Sequence, residues 1–98
     1  MRIEIKKFGN VLVSRQAGRE AFAAFLPTLK TIKKGESVLV DFSSVSVLSP
    51  SWADEFLTPL LDRFGHNLKL IPSENSSVKL TIQTIEEILK INFQIWDH

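Results

Sequence analysis

Val38-Leu39-Val40-Asp41-Phe42-Ser43-Ser44-Val45-Ser46-Val47-Leu48-Ser49-Pro50-Ser51-Trp52-Ala53-Asp54-Glu55 reads as a buried strand, a serine-rich connection and the start of a helix. Val38, Leu39 and Val40 form an unbroken apolar run, the pattern of a strand covered on both faces by helices. Ser49 can cap free N–H groups at a helix start, and Pro50 fits the first helical position, where no N–H is needed. The helix should run to about Phe64, with Gly65 as its C-cap. Ala53, Phe56, Leu57, Leu60, Leu61 and Phe64 then share one face, with Ser51, Glu55, Thr58 and Asp62 opposite them. In an α/β domain, function is expected where such a strand hands over to such a helix.

Upstream, Ile3 and Ile5 alternate with Arg2, Glu4 and Lys6, as in a half-exposed strand. Gly9-Asn10 reads as a hairpin turn that returns Val11-Leu12-Val13 beside that strand. Ser14 can cap a first helix, whose stripe is Ala17, Ala21, Phe22, Phe25, Leu26, Leu29 and Ile32. Pro27 removes a helical hydrogen bond, so a kink or an early end is expected there. Downstream, Asn67–Ile71 is a strand stopped by Pro72. A third helix follows, with Val78, Ile82, Ile85 and Leu89 spaced 4, 3 and 4 apart. The tail, residues 91–96, fits either a strand or an extension of that helix. The whole chain, residues 1–98, is expected to be one α/β domain: a small mixed β-sheet of four to five strands with three helices.

Composition narrows the function classes. Without cysteine there is no thiolate metal site, redox dithiol or disulfide framework. A net charge of +1 argues against a nucleic-acid binder. No apolar run approaches the ~20 residues that span a bilayer, and the first residues lack a signal peptide's apolar core, so a cytoplasmic domain is expected. His66 and His98 have no ligand spacing, and the isolated glycines form no phosphate loop, so neither metal nor cofactor is expected.

Asp41-Phe42 at a strand end, the apolar pair Val47-Leu48 and the helix start Ser49-Pro50-Ser51 resemble the core of the STAS domain, named for sulphate transporters and anti-sigma factor antagonists. Ser14-Arg15, Asp41-Phe42 and Ser51-Trp52-Ala53-Asp54-Glu55 resemble more closely a STAS-like bacterial family of unknown function, over roughly residues 9 to 90. The resemblance implies a STAS-like fold and a non-enzymatic signalling role with a protein partner of the histidine-kinase-like ATPase type. It also implies that Ser51, or its neighbour Ser49, is the serine such a partner phosphorylates. Where anti-sigma antagonists carry Asp-Ser-Ser-Gly, this chain has Ser49-Pro50-Ser51-Trp52.

The residues themselves leave alternatives open. Ser49 and Ser51 also suit a plain cap and a solvated first-turn position. Asp54 and Glu55, adjacent on a helix, point ~100° apart and are poorly placed to share a proton, so they do not form a catalytic pair. Arg15 is a cation at a helix start, where the dipole disfavours it. Pairing of Arg15 with Asp54 or Glu55 would explain both anomalies as a clamp between neighbouring helix starts. Trp52 and Pro59, seven positions apart, can form an apolar contact spot or fold into rim packing. The surface expected to meet a partner is therefore Arg15, Trp52, Asp54, Glu55 and Pro59. Two other roles fit the same residues: a constitutive scaffold subunit binding through Trp52 and Pro59, and a small-ligand or nucleotide-binding domain using the strand end at Asp41.

Overall fold

The computed structural model describes residues 1–97. In chain order its elements are β1 (Arg2–Glu4), β2 (Val11–Leu12), α1 (Arg15–Leu29), β3 (Val38–Asp41), β4 (Val47–Leu48), α2 (Pro50–Phe64), β5 (Leu68–Leu70), α3 (Ser76–Leu89) and β6 (Gln94–Ile95). Ile5–Phe8 and Gly65–Asn67 are single 3-10 turns. The three helices and the small sheet agree with the sequence reading, and α2 spans the expected residues. In α1 the helix ends at Leu29, two residues past Pro27, before reaching Ile32.

The strand order is β1-β3-β5-β6, with β2 and β4 forming a second ladder, and every pairing is parallel. The antiparallel hairpin expected at Gly9-Asn10 does not form. After Glu4 the chain instead takes a 3-10 turn, closed by the Gly9 N–H donating to the Lys6 carbonyl at 3.0 Å. That turn buries Ile5 and sets Phe8 against Phe25, Trp52 and Phe56, with ring centroids 5.7, 6.0 and 5.1 Å away. Only then does the chain resume as β2, alongside β4. The tail likewise becomes definite: Gln94–Ile95 adds to β5 as an edge strand.

Each crossover moves one strand further in the same direction. Right-handed crossovers therefore put all three helices on one face of the sheet. Ile3, Val40 and Leu70 lie in register on that face and are buried, as are Val38 and Leu68. The opposite face carries Arg2, Leu39, Lys69 and Gln94 in register, and none of these is buried. The expected cover on both faces of β3 is thus corrected: Leu39 sits between the side chains of Arg2 and Lys69, not under a helix.

The α1–α2 contact is backbone-close. A Cβ built on Gly18 would lie 2.6 Å from the Trp52 carbonyl oxygen and 3.0 Å from its Cα. Replacing Gly18 by Ala gains about 1 kcal/mol of helix propensity but forces the helices apart at atoms that cannot rotate away. A Cβ 2.6 Å from a backbone oxygen puts the cost of overpacking in the upper part of the usual range of about 1–3 kcal/mol, so a net loss of about 1–2 kcal/mol remains. We expect Gly18→Ala to lower the melting temperature by several degrees, about 4–8 °C per kcal/mol for a domain of this size. An unchanged or raised melting temperature would contradict the close approach.

Candidate functional site

The strands β2 and β4 run side by side and each hands over to a helix, so α1 and α2 begin next to each other. Ser14 caps α1, its hydroxyl accepting from the Ala17 N–H at 2.9 Å. Ser49 caps α2, accepting from the Trp52 N–H at 3.2 Å, and its own hydroxyl donates to the Val13 carbonyl at 2.9 Å. One serine therefore caps a helix and ties the end of β2 to it. Ser51, half-buried in the first turn of α2, has no hydrogen bond from its side chain to any described residue, and its hydroxyl oxygen is not among sealed, unsatisfied atoms.

Across the two helix starts lies the expected clamp. Arg15 Nη1 donates to Asp54 Oδ2 and to Glu55 Oε1, both at 3.0 Å, and Arg19 Nη2 reaches Glu55 Oε1 at 3.5 Å. The Thr58 hydroxyl donates to the other Asp54 oxygen at 2.8 Å. Asp54 is held below its ordinary pKa first by Thr58 and then by Arg15, against a smaller effect of burial. Hydrogen bonding from Arg15 does the same for Glu55, and the two carboxylates in turn raise Arg15. Both acids stay ionised near neutrality and occupied by cations, which suits a surface contact and not proton transfer. Being exposed, the cluster adds little to stability and is screened by salt.

Trp52 does not belong to this surface. It is 1% exposed, stacked on Phe56 at 5.0 Å with 19° between the ring planes, one helical turn away. The expected apolar spot of Trp52 and Pro59 is corrected accordingly: Pro59 is half-buried, and Trp52 is core. A partner cannot bind through a side chain that the domain itself encloses.

Asp41 is likewise committed to the fold. Its Oδ2 accepts from Arg2 Nε at 3.1 Å and Nη2 at 2.6 Å, and its Oδ1 from the Ser43 N–H at 2.9 Å and hydroxyl at 2.7 Å. The knot joins β1 to the end of β3 and starts the serine-rich connection. Among the described residues no group of three or more His, Asp or Glu side chains is arranged to hold a metal.

Several residues that shape this corner carried no signal in the sequence reading. Asn75 caps α3 while its amide donates to the carbonyls of Val45 and Ser46 at 3.2 and 3.1 Å. The Ser77 hydroxyl bonds both the N–H and the carbonyl of Leu48, and the Thr81 hydroxyl also donates to that carbonyl. A hydroxyl or amide at a helix cap or in its first two turns says nothing locally about a strand some thirty positions upstream.

Burial pushes the Asp41 carboxyl up, but the Ser43 hydroxyl, the Arg2 guanidinium and the Ser43 N–H outweigh it and bring the pKa from 3.8 down to about 2. A folded pKa below the unfolded one stabilises the protein above the unfolded value, and that contribution is lost as pH falls from about 4 toward about 2. The shift corresponds to at most about 2 kcal/mol, reduced because Arg2 is half-exposed. Urea titrations of wild type and Asp41→Asn should therefore differ most at neutral pH and converge toward pH 2. A constant difference across that range would show that the ionised carboxylate contributes nothing.

A family model described as a STAS-like domain of unknown function (DUF4325) matches residues 23–87, about two thirds of the chain. The match contains β3 with Asp41-Phe42 and the whole of α2 with its Ser51–Glu55 start, whereas Ser14-Arg15 precede it. No curated protein and no solved structure matches the chain. With its α/β fold and this match, the chain belongs to the family of STAS-like domains of unknown function.

Proposed function

We propose that this STAS-like domain is a non-enzymatic regulatory module that binds a protein partner through the adjoining starts of α1 and α2. In this reading Ser51 is the switch, and the partner is a histidine-kinase-like ATPase that phosphorylates it. One observation carries the choice of serine. Ser49 is used twice, as helix cap and as donor to Val13, while the Ser51 hydroxyl bonds no other described side chain or backbone group. Modifying Ser49 would break a cap and a tie to β2. A phosphate on Ser51 would break neither.

The electrostatics support that choice. A phosphate in the first turn of α2 sits at the positive end of the helix dipole. Asp54 and Glu55, three and four residues on, would repel it. Their charges are already opposed by Arg15 and Arg19, which softens the repulsion. Adding up to two negative charges to a balanced cluster would turn this surface acidic, and an acidic partner face would then be repelled. The bulky residue after Ser51 is no obstacle, since Trp52 points into the core. A small-ligand site at the strand end is less well supported, because both Asp41 oxygens are already bonded by Arg2 and Ser43.

Immobilised wild-type chain and Ser51→Asp should be compared as baits in an extract of the source organism. Alongside this, mass spectrometry should map phosphate on the native protein. The expected result is a kinase-like ATPase retained by wild type, retained about tenfold less by Ser51→Asp, and phosphate on Ser51. Equal retention together with an unmodified Ser51 would overturn the switch. Retention of a partner that is no ATPase, indifferent to Ser51, would favour a constitutive scaffold.

A further inference from the structure

The two edges of the β2–β4 ladder are treated differently. On the β4 side, the N–H and carbonyl of Leu48 are taken by hydroxyls of α3. On the β2 side no strand among the described residues lies alongside. The Asn10 and Leu12 carbonyls point to β4, accepting from Val47 at 3.0 Å and Ser49 at 2.9 Å. The peptide bonds around Val11 and Val13 are trans, so the N–H groups of these residues point the opposite way, out of the ladder. The alternation of an extended strand sends the Val11 carbonyl there too. Natural edges are usually blunted by charge, proline or a covering element, and this one carries valines.

The side chains agree with the backbone. Val11, Val13 and Val47 are 55%, 52% and 41% exposed, and Val11 and Val47 are register neighbours. Between β2 and α1 runs a groove of about 410 Å³, lined by Phe8, Val11, Val13, Ala17, Glu20 and Ala21 among others. The small side chains of Ala17 and Ala21 leave its floor open. No Lys or Arg lines it, and Glu20, which accepts only from Gln16 at 3.1 Å, has no ion pair among the described residues.

We propose that the free edge of β2 and its groove bind an extended peptide segment of a partner protein by strand addition. The segment's backbone pairs with the N–H and carbonyl of Val11 and with the N–H of Val13, whose carbonyl Ser49 holds, an apolar side chain enters the groove, and a Lys or Arg meets Glu20. Strand addition takes its affinity from main-chain hydrogen bonds and its specificity from pockets for alternate side chains, the two features found together here. An edge of three residues beside a single groove fits a short peptide better than a second copy of the chain, since stable protein pairs bury about 1,200 Å² or more. The surface does not use the Arg15 clamp, so the proposal stands independently of any phosphate on Ser51.

The test is selection of a phage-displayed library of random heptapeptides on the full chain, followed by synthesis of the enriched sequences. We expect β-branched or apolar residues at alternate positions with one basic residue. On binding, the amides of Val11 and Val13 should shift and exchange more slowly. Affinity should fall at least tenfold in Ala17→Leu, which fills the groove from an exposed helix position, and in Glu20→Lys. Leu80→Ser, on the exposed face of α3, should leave it unchanged. No enriched family, or perturbed amides elsewhere, would overturn the proposal. Protection of Val11 and Val13 in the protein alone, with dimerisation by sedimentation, would overturn it in favour of a second copy.

Discussion

The close approach of α1 to α2 at Gly18 is the constraint on which the rest depends. With no side chain at that position, the backbone of Trp52 comes within contact distance of α1. Trp52 can then turn inward onto Phe56 and Phe8, and the rings of Phe22 and Phe25 complete the cluster from α1. The same approach brings two helix starts together, each with the positive end of its dipole. Arg15 adds further positive charge there, and only the acids one turn along α2 offset it. The clamp is thus a consequence of how closely the helices pack, and not its cause.

Much of this was legible in the sequence wherever the deciding physics is local. The limits of α2 follow from Ser49-Pro50 and Gly65, because capping and backbone conformation act within a turn. Arg15 and Asp54-Glu55 were legible for another reason: each is anomalous alone, and pairing removes both anomalies. The opening hairpin was misread because Gly9-Asn10 permits a turn but says nothing of which strand comes next. The partner of Val11 is Val47, thirty-six positions away, and the need to bury Phe8 decides the path between. Trp52 lies near the edge of the apolar stripe by helical angle alone. A long side chain one turn from Phe56 nevertheless reaches the core.

Leu39 teaches a related point. Three apolar residues in a row are compatible with a strand covered on both sides, but they do not require it. When every crossover advances in the same direction, the helices share one face, and the middle residue of such a run can be shielded by the stems of Arg2 and Lys69. The run is too short to distinguish these cases, and only the strand order does so.

The corner where β2, β4, α1 and α2 meet is fixed from several directions at once. Ser49 joins a helix cap to β2, Asn75 and Ser77 hold the serine-rich connection from α3, and no buried side-chain polar atom among the described residues lacks a partner. Ser44, at a φ of 69°, is held in the left-handed region within that connection. A ligand shifts an equilibrium only by its differential affinity for two states, and a second arrangement of this corner would have to break these hydrogen bonds together. Charge added at Ser51 would therefore work by changing what the surface attracts, not by rearranging the fold. The same rigidity favours an extended peptide at the β2 edge. An edge already held in place loses little freedom when a strand is added, so the ordering cost falls on the peptide alone.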